Sequence, residues 1–243
     1  MRVINMLQAT YEHAMGAAVA ACNAREPNTA MAICVDILQQ RPADPAAHQL
    51  LALLKLQNGQ PAQAWQHIQR SLQSRPCYAP ALLLAGKIAR AQDDLAGAAH
   101  FFRQAAMLSP ANAEAAYLHG LTLLEQDNQA TAASVLQALV QTHPQHAAAW
   151  FQLGMVRQDM GELPAAAVAF QAALQHQPSH AEAAVNLGIV LQELNQLPDA
   201  MQAYRQAYQL RPDTFGRIAQ ALTSSPHGAL WLNLAALHQL LAG

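Results

Sequence analysis

The side chains in this sequence with the most chemical potential are its histidines, its cysteines and one lysine. His143 and His146 stand three residues apart, and His176 and His180 four apart, spacings at which two imidazoles can share a metal ion. Neither pair has a cysteine or carboxylate ligand set beside it, so each reads as ring nitrogens in solvated turns, and no metal is implied. Ala81-x4-Gly86-Lys87 has the outline of a phosphate-binding loop. It lacks the Ser or Thr that should follow the lysine, and it falls inside a helical stretch rather than between a strand and a helix. Cys22, Cys34 and Cys77 are odd in number and include no C-x-x-C pair. That argues against a disulfide framework and fits a reduced, cytoplasmic setting. No serine, cysteine or lysine has a base and an orienting group beside it. The residue chemistry therefore points away from an enzyme and calls for no cofactor.

The elements that must position these residues are helices. Hydrophobic residues make up 53 % of the 243 residues and charged ones only 12 %, against a usual charged share of about 25 %. Alanine, glutamine and leucine dominate, all good helix formers. The formal net charge is −2 and the 13 lysines and arginines are scattered. A nucleic-acid partner needs a basic stripe, which is missing. No stretch reaches the roughly 18 apolar residues of a membrane span. Val19-Ala20-Ala21-Cys22 has the form of a lipoprotein cleavage box. Gln8, Glu12 and His13 interrupt the apolar run that should precede it. A periplasmic lipoprotein is thus the minor alternative to a cytoplasmic location.

The prolines supply a ruler. Pro42, Pro76, Pro110, Pro144, Pro178 and Pro212 stand 34 residues apart without a slip. Twelve residues before each lies an alanine: Ala30, Ala64, Ala98, Ala132, Ala166 and Ala200. Gly86, Gly120, Gly154 and Gly188 keep the same register. With proline at position 32, the units are 11–44, 45–78, 79–112, 113–146, 147–180 and 181–214. Small residues at positions 8 and 20 let two helices approach closely, where a larger side chain would open gaps. Apolar residues at positions 4, 7, 24 and 28 recur at helical spacing. Proline cannot continue a helix, so it breaks the chain at one phase every time.

This pattern resembles the tetratricopeptide repeat family of bacterial type, whose 34-residue unit is a helix–turn–helix. The fifth unit matches best, with Trp150, Leu153, Gly154, Ala166, Phe170, Ala173 and Pro178 in place. The first is weakest, with Ala18 and Cys34 where others carry glycine and an aromatic. The resemblance covers 204 of the 243 residues. It implies an all-α, right-handed superhelical solenoid: a lead-in over 1–10, six repeats over 11–214, and capping helices over 215–243. Residues 11–24, lipoprotein box included, then fall in phase as the first helix of repeat one. In the last segment a seventh helix starts near Phe215, and Thr223-Ser224-Ser225-Pro226-His227-Gly228 is a dense turn signal. A final apolar helix is expected over roughly 229–242. Its Trp231, Leu234, Leu237 and Leu241 are a candidate interface for a second copy or a partner. The competing expectation is that this helix folds over the end of repeat six.

In such arrays the first helix of each pair, helix A, lines the concave surface through positions 2, 5, 9, 12 and 13. Carried onto this chain, the pattern selects Leu53, Leu83, Lys87, Arg90, Tyr117, Leu121, Leu124, Phe151, Met155, Val185 and Ile189 as a partner-binding groove. Gln192 holds position 12 in repeat six. The strip is mostly apolar, which suits an amphipathic helix or an extended peptide with bulky side chains. Lys87 and Arg90 lie one turn apart, close enough to share one carboxylate of a ligand. Glu125, Asp159 and Glu193 occupy position 13 and would give the groove an acidic side. The carboxylate clamp of chaperone-binding members is not matched beyond Lys87. Of the asparagine ladder in glycosyltransferase arrays only Asn186 is present. The expected function is a non-enzymatic protein–protein interaction scaffold. A self-assembling homo-oligomer and a lipoprotein of envelope or pilus assembly are the alternatives.

Overall fold

A computed structural model of the chain describes residues 2–224 and 234–242, and among these there is no strand. The helices follow in pairs: α1 (Arg2–Asn23) and α2 (Pro27–Gln40), α3 (Pro45–Gln57) and α4 (Pro61–Ser74), α5 (Ala79–Arg90) and α6 (Leu95–Leu108), α7 (Ala113–Glu125) and α8 (Gln129–Thr142), α9 (Ala147–Asp159) and α10 (Leu163–His176), α11 (Ala181–Glu193) and α12 (Leu197–Leu210). Two more close the chain, α13 (Phe215–Ser224) and α14 (Leu234–Ala242). Each second helix of a pair, helix B, has 14 residues. All six run from position 17 to position 30 of the repeat, and proline follows two residues later.

The bends between paired helices share one backbone device. Arg25, Asp93, Asp127 and Asn195 have φ of 62, 61, 58 and 60°, and Gly59 and Gly161 have 70 and 74°. All six are position 15 of the repeat. Glycine takes the left-handed conformation freely, and Asn and Asp tolerate it through local hydrogen bonds. Arg25 has neither advantage. Four of the bends between repeats, those before α3, α7, α9 and α11, are closed by side-chain N-caps. Asp44 accepts from the Ala47 N–H at 2.8 Å, and Asn112 caps α7. His146 and His180 do the same work with Nδ1, accepting from Ala149 and Ala183 at 3.1 and 3.2 Å.

Two compact units divide the chain, 1–126 and 127–243. In the first, α1/α2, α3/α4 and α5/α6 pack as hairpins, and α2/α3, α4/α5 and α6/α7 join one hairpin to the next. Its core is built of Ala52, Ala64, Ile68, Ala81, Ala85 and Ile88, with satellites around Cys34 and Phe102. In the second, α9/α10 and α11/α12 are the hairpins, and α8/α9 and α10/α11 link them. Its core runs from Ala166 and Phe170 through Val190 and Tyr204 to Ile218 and Leu241. The small residue at position 8 faces the large one at position 24. A Cβ on Gly86, Gly154 or Gly188 would lie 2.5, 2.7 or 2.4 Å from the ring of Phe102, Phe170 or Tyr204.

α1 begins nine residues before position 1 of the first repeat, so the lead-in from Arg2 is continuous with that helix. Cys22 is helical and half-buried within it. No helix among the described residues is long and apolar enough to cross a membrane.

Candidate functional site

In unit 1, α3, α5 and α7 bring forward Leu53, Leu83, Tyr117, Leu121 and Leu124, all half-buried. Leu53 rests on the core of Ala52 and Ile68, and Leu83 on Ala105 and Phe102. Each thus has one side in the core and one side in solvent. Lys87 and Arg90 stand beside them on α5, 41 % and 38 % exposed. The structure pairs each with its own carboxylate rather than leaving both for one ligand. Lys87 Nζ meets Glu114 at 2.6 Å, and Arg90 meets Glu125 at 3.2 Å. Glu114 and Glu125 both lie on α7, so the two pairs cross-link adjacent A helices. The polarised charge expected from the sequence is cancelled within the chain here, and the face of unit 1 is chiefly apolar.

In unit 2 the corresponding side chains are more engaged. Phe151 is half-buried, its ring 4.5 Å from the His180 ring and 5.9 Å from Phe170. Met155 sulfur accepts a hydrogen bond from Asn186 Nδ2 at 3.0 Å, and Arg217 donates to Asn186 Oδ1 at 3.1 Å. Ile189 stays half-buried. Val185 does not line an open surface: it is fully buried in the same core as Ile218 and Leu222 of α13. Gln192 is buried too. Its Nε2 donates to the Ala221 carbonyl at 2.8 Å, and its Oε1 accepts from Tyr204 at 3.0 Å. α13 packs on α11 as a seventh helix A; it supplies the Ala221 carbonyl that holds Gln192, and its Ile218 and Leu222 share the core in which Val185 is buried.

α14 packs on α12 and α13. Leu237 and Leu241 are fully buried there, so they belong to the chain's own core and not to an outward interface. His238 Nε2 and the Tyr208 hydroxyl share a 2.5 Å hydrogen bond, and Arg205 Nε donates to the Leu240 carbonyl at 3.2 Å. Trp231 and the Leu234 side chain lie outside the described residues.

His146 and His180 are the caps described above, and no group of three His, Cys, Asp or Glu among the described residues could hold a metal. Sequence reading missed a pairing of buried His48 with half-buried His67, whose Nδ1 atoms are 3.0 Å apart. Being 19 residues apart, they show no pattern along the chain. His48 is 1 % exposed and its Nε2 donates to the Pro42 carbonyl at 3.0 Å. Burial lowers the pKa of His67, with His48, Arg70 and Lys55 adding to the effect. Burial lowers that of His119 as well, aided by Arg103. Burial pushes the Cys34 thiol up to about 11, so it packs as an unreactive apolar group.

Two protein families, both described as tetratricopeptide repeat, match the sequence. One covers residues 49–116 and 151–214, the other 114–146. No curated protein matches. Among solved structures, the chain is similar to YrrB, described as a TPR protein with an unusual peptide-binding site. The TM-score is 0.64 at 22 % identity, over 74 % of this chain and 93 % of YrrB. It is similar to MamA from Desulfovibrio magneticus RS-1, with TM-score 0.62 at 21 % identity over 70 % and 96 % of the two chains. It is also similar to pilF of Pseudomonas aeruginosa, with TM-score 0.70 at 17 % identity over 84 % and 93 %. Identities this low establish a shared fold.

Proposed function

The chain belongs to the tetratricopeptide repeat family, and from that premise we propose that it is a non-enzymatic scaffold that holds an apolar segment of another protein. The observation that carries this reading is the row of half-buried apolar side chains on the A helices of unit 1: Leu53, Leu83, Tyr117, Leu121 and Leu124. A folded chain gains by covering such surface, and a bulky peptide or amphipathic helix covers it. Tyr117 adds a rigid apolar ring with a polar tip, a type enriched where proteins meet. With Lys87 and Arg90 already paired, the guest is held by apolar contact more than by charge. The description of YrrB as peptide-binding is in keeping with this use of the fold. In unit 2, Phe151, Met155 and Ile189 are a smaller candidate surface of the same kind. We place the protein in a reducing, cytoplasmic compartment, a reading supported by its free cysteines.

The test is recovery of partners from the native host with tagged protein. Wild type and a Leu83→Ala/Tyr117→Ala variant are compared by quantitative mass spectrometry. Recovery of the specific partner should fall about tenfold, the loss of two good apolar contacts. Far-UV circular dichroism should not change, because both side chains are only half-buried. Raising the salt should change recovery little. Undiminished capture by the variant places the working surface elsewhere.

A further inference from the structure

We propose that unit 1 carries a second docking site, in the groove between α2 and α4, for a peptide segment with a bulky apolar side chain flanked by carboxylates. The site lies between B helices, so it is separate from the A-helix face considered above. Its case begins with the next groove along. Between α4 and α6, position 21 is Trp65 and position 23 is Phe101; the rings meet edge-on at 5.7 Å. Both pack over the core of Ala81, Ala85 and Ile88. Between α2 and α4 the same two positions are Met31 and His67. No aromatic plug is present, and a cavity of about 500 Å³ remains. That lies within the roughly 300–1,000 Å³ of ordinary ligand clefts.

The opening is held by structure and does not reflect loose packing. His67 cannot swing across it, because its Nδ1 is fixed on His48 at 3.0 Å. His48 in turn is buried and anchored to the Pro42 carbonyl. Leu38 and Leu51 are apolar lining, and Leu51 is only 3 % exposed. Val35 stands at the rim, 46 % exposed. A side chain inserted here would occupy the place that the Trp65 indole fills one repeat later.

Charge selects the occupant. Lys55 is the single charged residue among those lining the cavity, and no carboxylate joins it. Its Nζ reaches Gln60 Oε1 at 3.3 Å and has no ion pair among the described residues. A purely apolar guest would strip water from this ammonium and give nothing back. A basic guest would add repulsion. A guest with a carboxylate beside its apolar side chain satisfies both halves of the site, as charge-assisted hydrogen bonds to lysine do.

The probe is a fluorescein-labelled synthetic peptide alternating leucine and glutamate, titrated with the full chain and read by fluorescence anisotropy. Two control peptides replace glutamate by lysine or leucine by serine. Wild type should bind the leucine–glutamate peptide and neither control, and added salt should weaken binding. Met31→Trp, which supplies the missing plug, and Lys55→Glu should each weaken it about tenfold or more. Leu83→Ala/Tyr117→Ala, which weakens the A-helix face, should keep the component of binding that Met31→Trp and Lys55→Glu remove. Circular dichroism checks folding; if Met31→Trp is not native, Val35→Glu at the exposed rim takes its place with the same expected loss. Equal binding of the lysine peptide, unchanged binding by the groove variants, loss of all binding with Leu83→Ala/Tyr117→Ala, or no binding by wild type at millimolar peptide would each overturn the proposal.

Discussion

Glycine at position 8 answers to the residue sixteen places later. Gly86, Gly154 and Gly188 face Phe102, Phe170 and Tyr204, with no room for a methyl group. In the first two repeats position 24 is Cys34 or Ile68 and position 8 is alanine, Ala18 or Ala52, and both residues of each pair are fully buried; repeat four departs from this, with Leu136 opposite Gly120 in register. In the three glycine–aromatic pairs the space is filled by the ring. Gly154→Ala should overpack that space and cost about 1–3 kcal/mol, seen as a lower urea midpoint. Adding Phe170→Leu should recover part of the loss, because the methyl then has somewhere to go. A Gly154→Ala protein as stable as wild type would show that the ring moves aside freely. The sequence makes the need for a small residue at position 8 plain, but its aromatic counterpart emerges only when the helices are paired. Position 15 is a case of a signal present and easily passed over. Gly59, Asp93, Asp127, Gly161 and Asn195 are all types that tolerate positive φ, yet Arg25 breaks the pattern and hides it.

At the scale of the helix, the 34-residue period made nearly everything readable: six B helices share one start and one end, and the proline ruler marks where each stops. What periodicity could not tell was what covers the last repeat. Leucines spread around a short helix look like an outward interface on paper, because neither the burial of a face nor its partner is written in the spacing. In the folded chain α13 buries Val185 and Gln192 of α11, and α14 tucks Leu237 and Leu241 against α12 and α13. Groove positions that are open in unit 1 are therefore closed at this end. The consequence is an asymmetry within α14 itself. Leu237→Ala should lower unit 2 stability by about 2–4 kcal/mol, as a buried leucine does. Leu240→Ala, at a site 39 % exposed, should change it by no more than about 0.5 kcal/mol. Thermal melts of the two variants suffice. Equal, small effects would mean that α14 does not hold the end closed.

At the scale of the whole chain, the packing contacts described within each unit run mostly between sequence neighbours, α3 with α4, α4 with α5, α9 with α10, α10 with α11. A hairpin of this kind has one apolar side that it cannot bury alone, so its stability comes from itself and from the hairpins it touches. The same logic limits how far a defect can travel. Gly154→Ala strains the α9/α10 hairpin, which touches α8 on one side and α11 on the other. Amide hydrogen exchange followed by mass spectrometry should then show faster exchange in α8 to α11. Peptides from α3 to α6 should exchange as in wild type, because the contacts that hold those hairpins run to their own neighbours in unit 1. Acceleration spread evenly over all helices would instead mean that the chain opens only as a whole. In that case the repeat would describe its ancestry and geometry but not its energetics. On the proposed reading, local opening has a functional corollary: the apolar A-helix face of unit 1 would keep its shape while distant hairpins fluctuate, so the proposed guest would find a surface already formed. Binding then forgoes the ordering cost that a disordered site would incur, and Gly154→Ala should leave capture through Tyr117 unchanged even as it loosens α9 and α10.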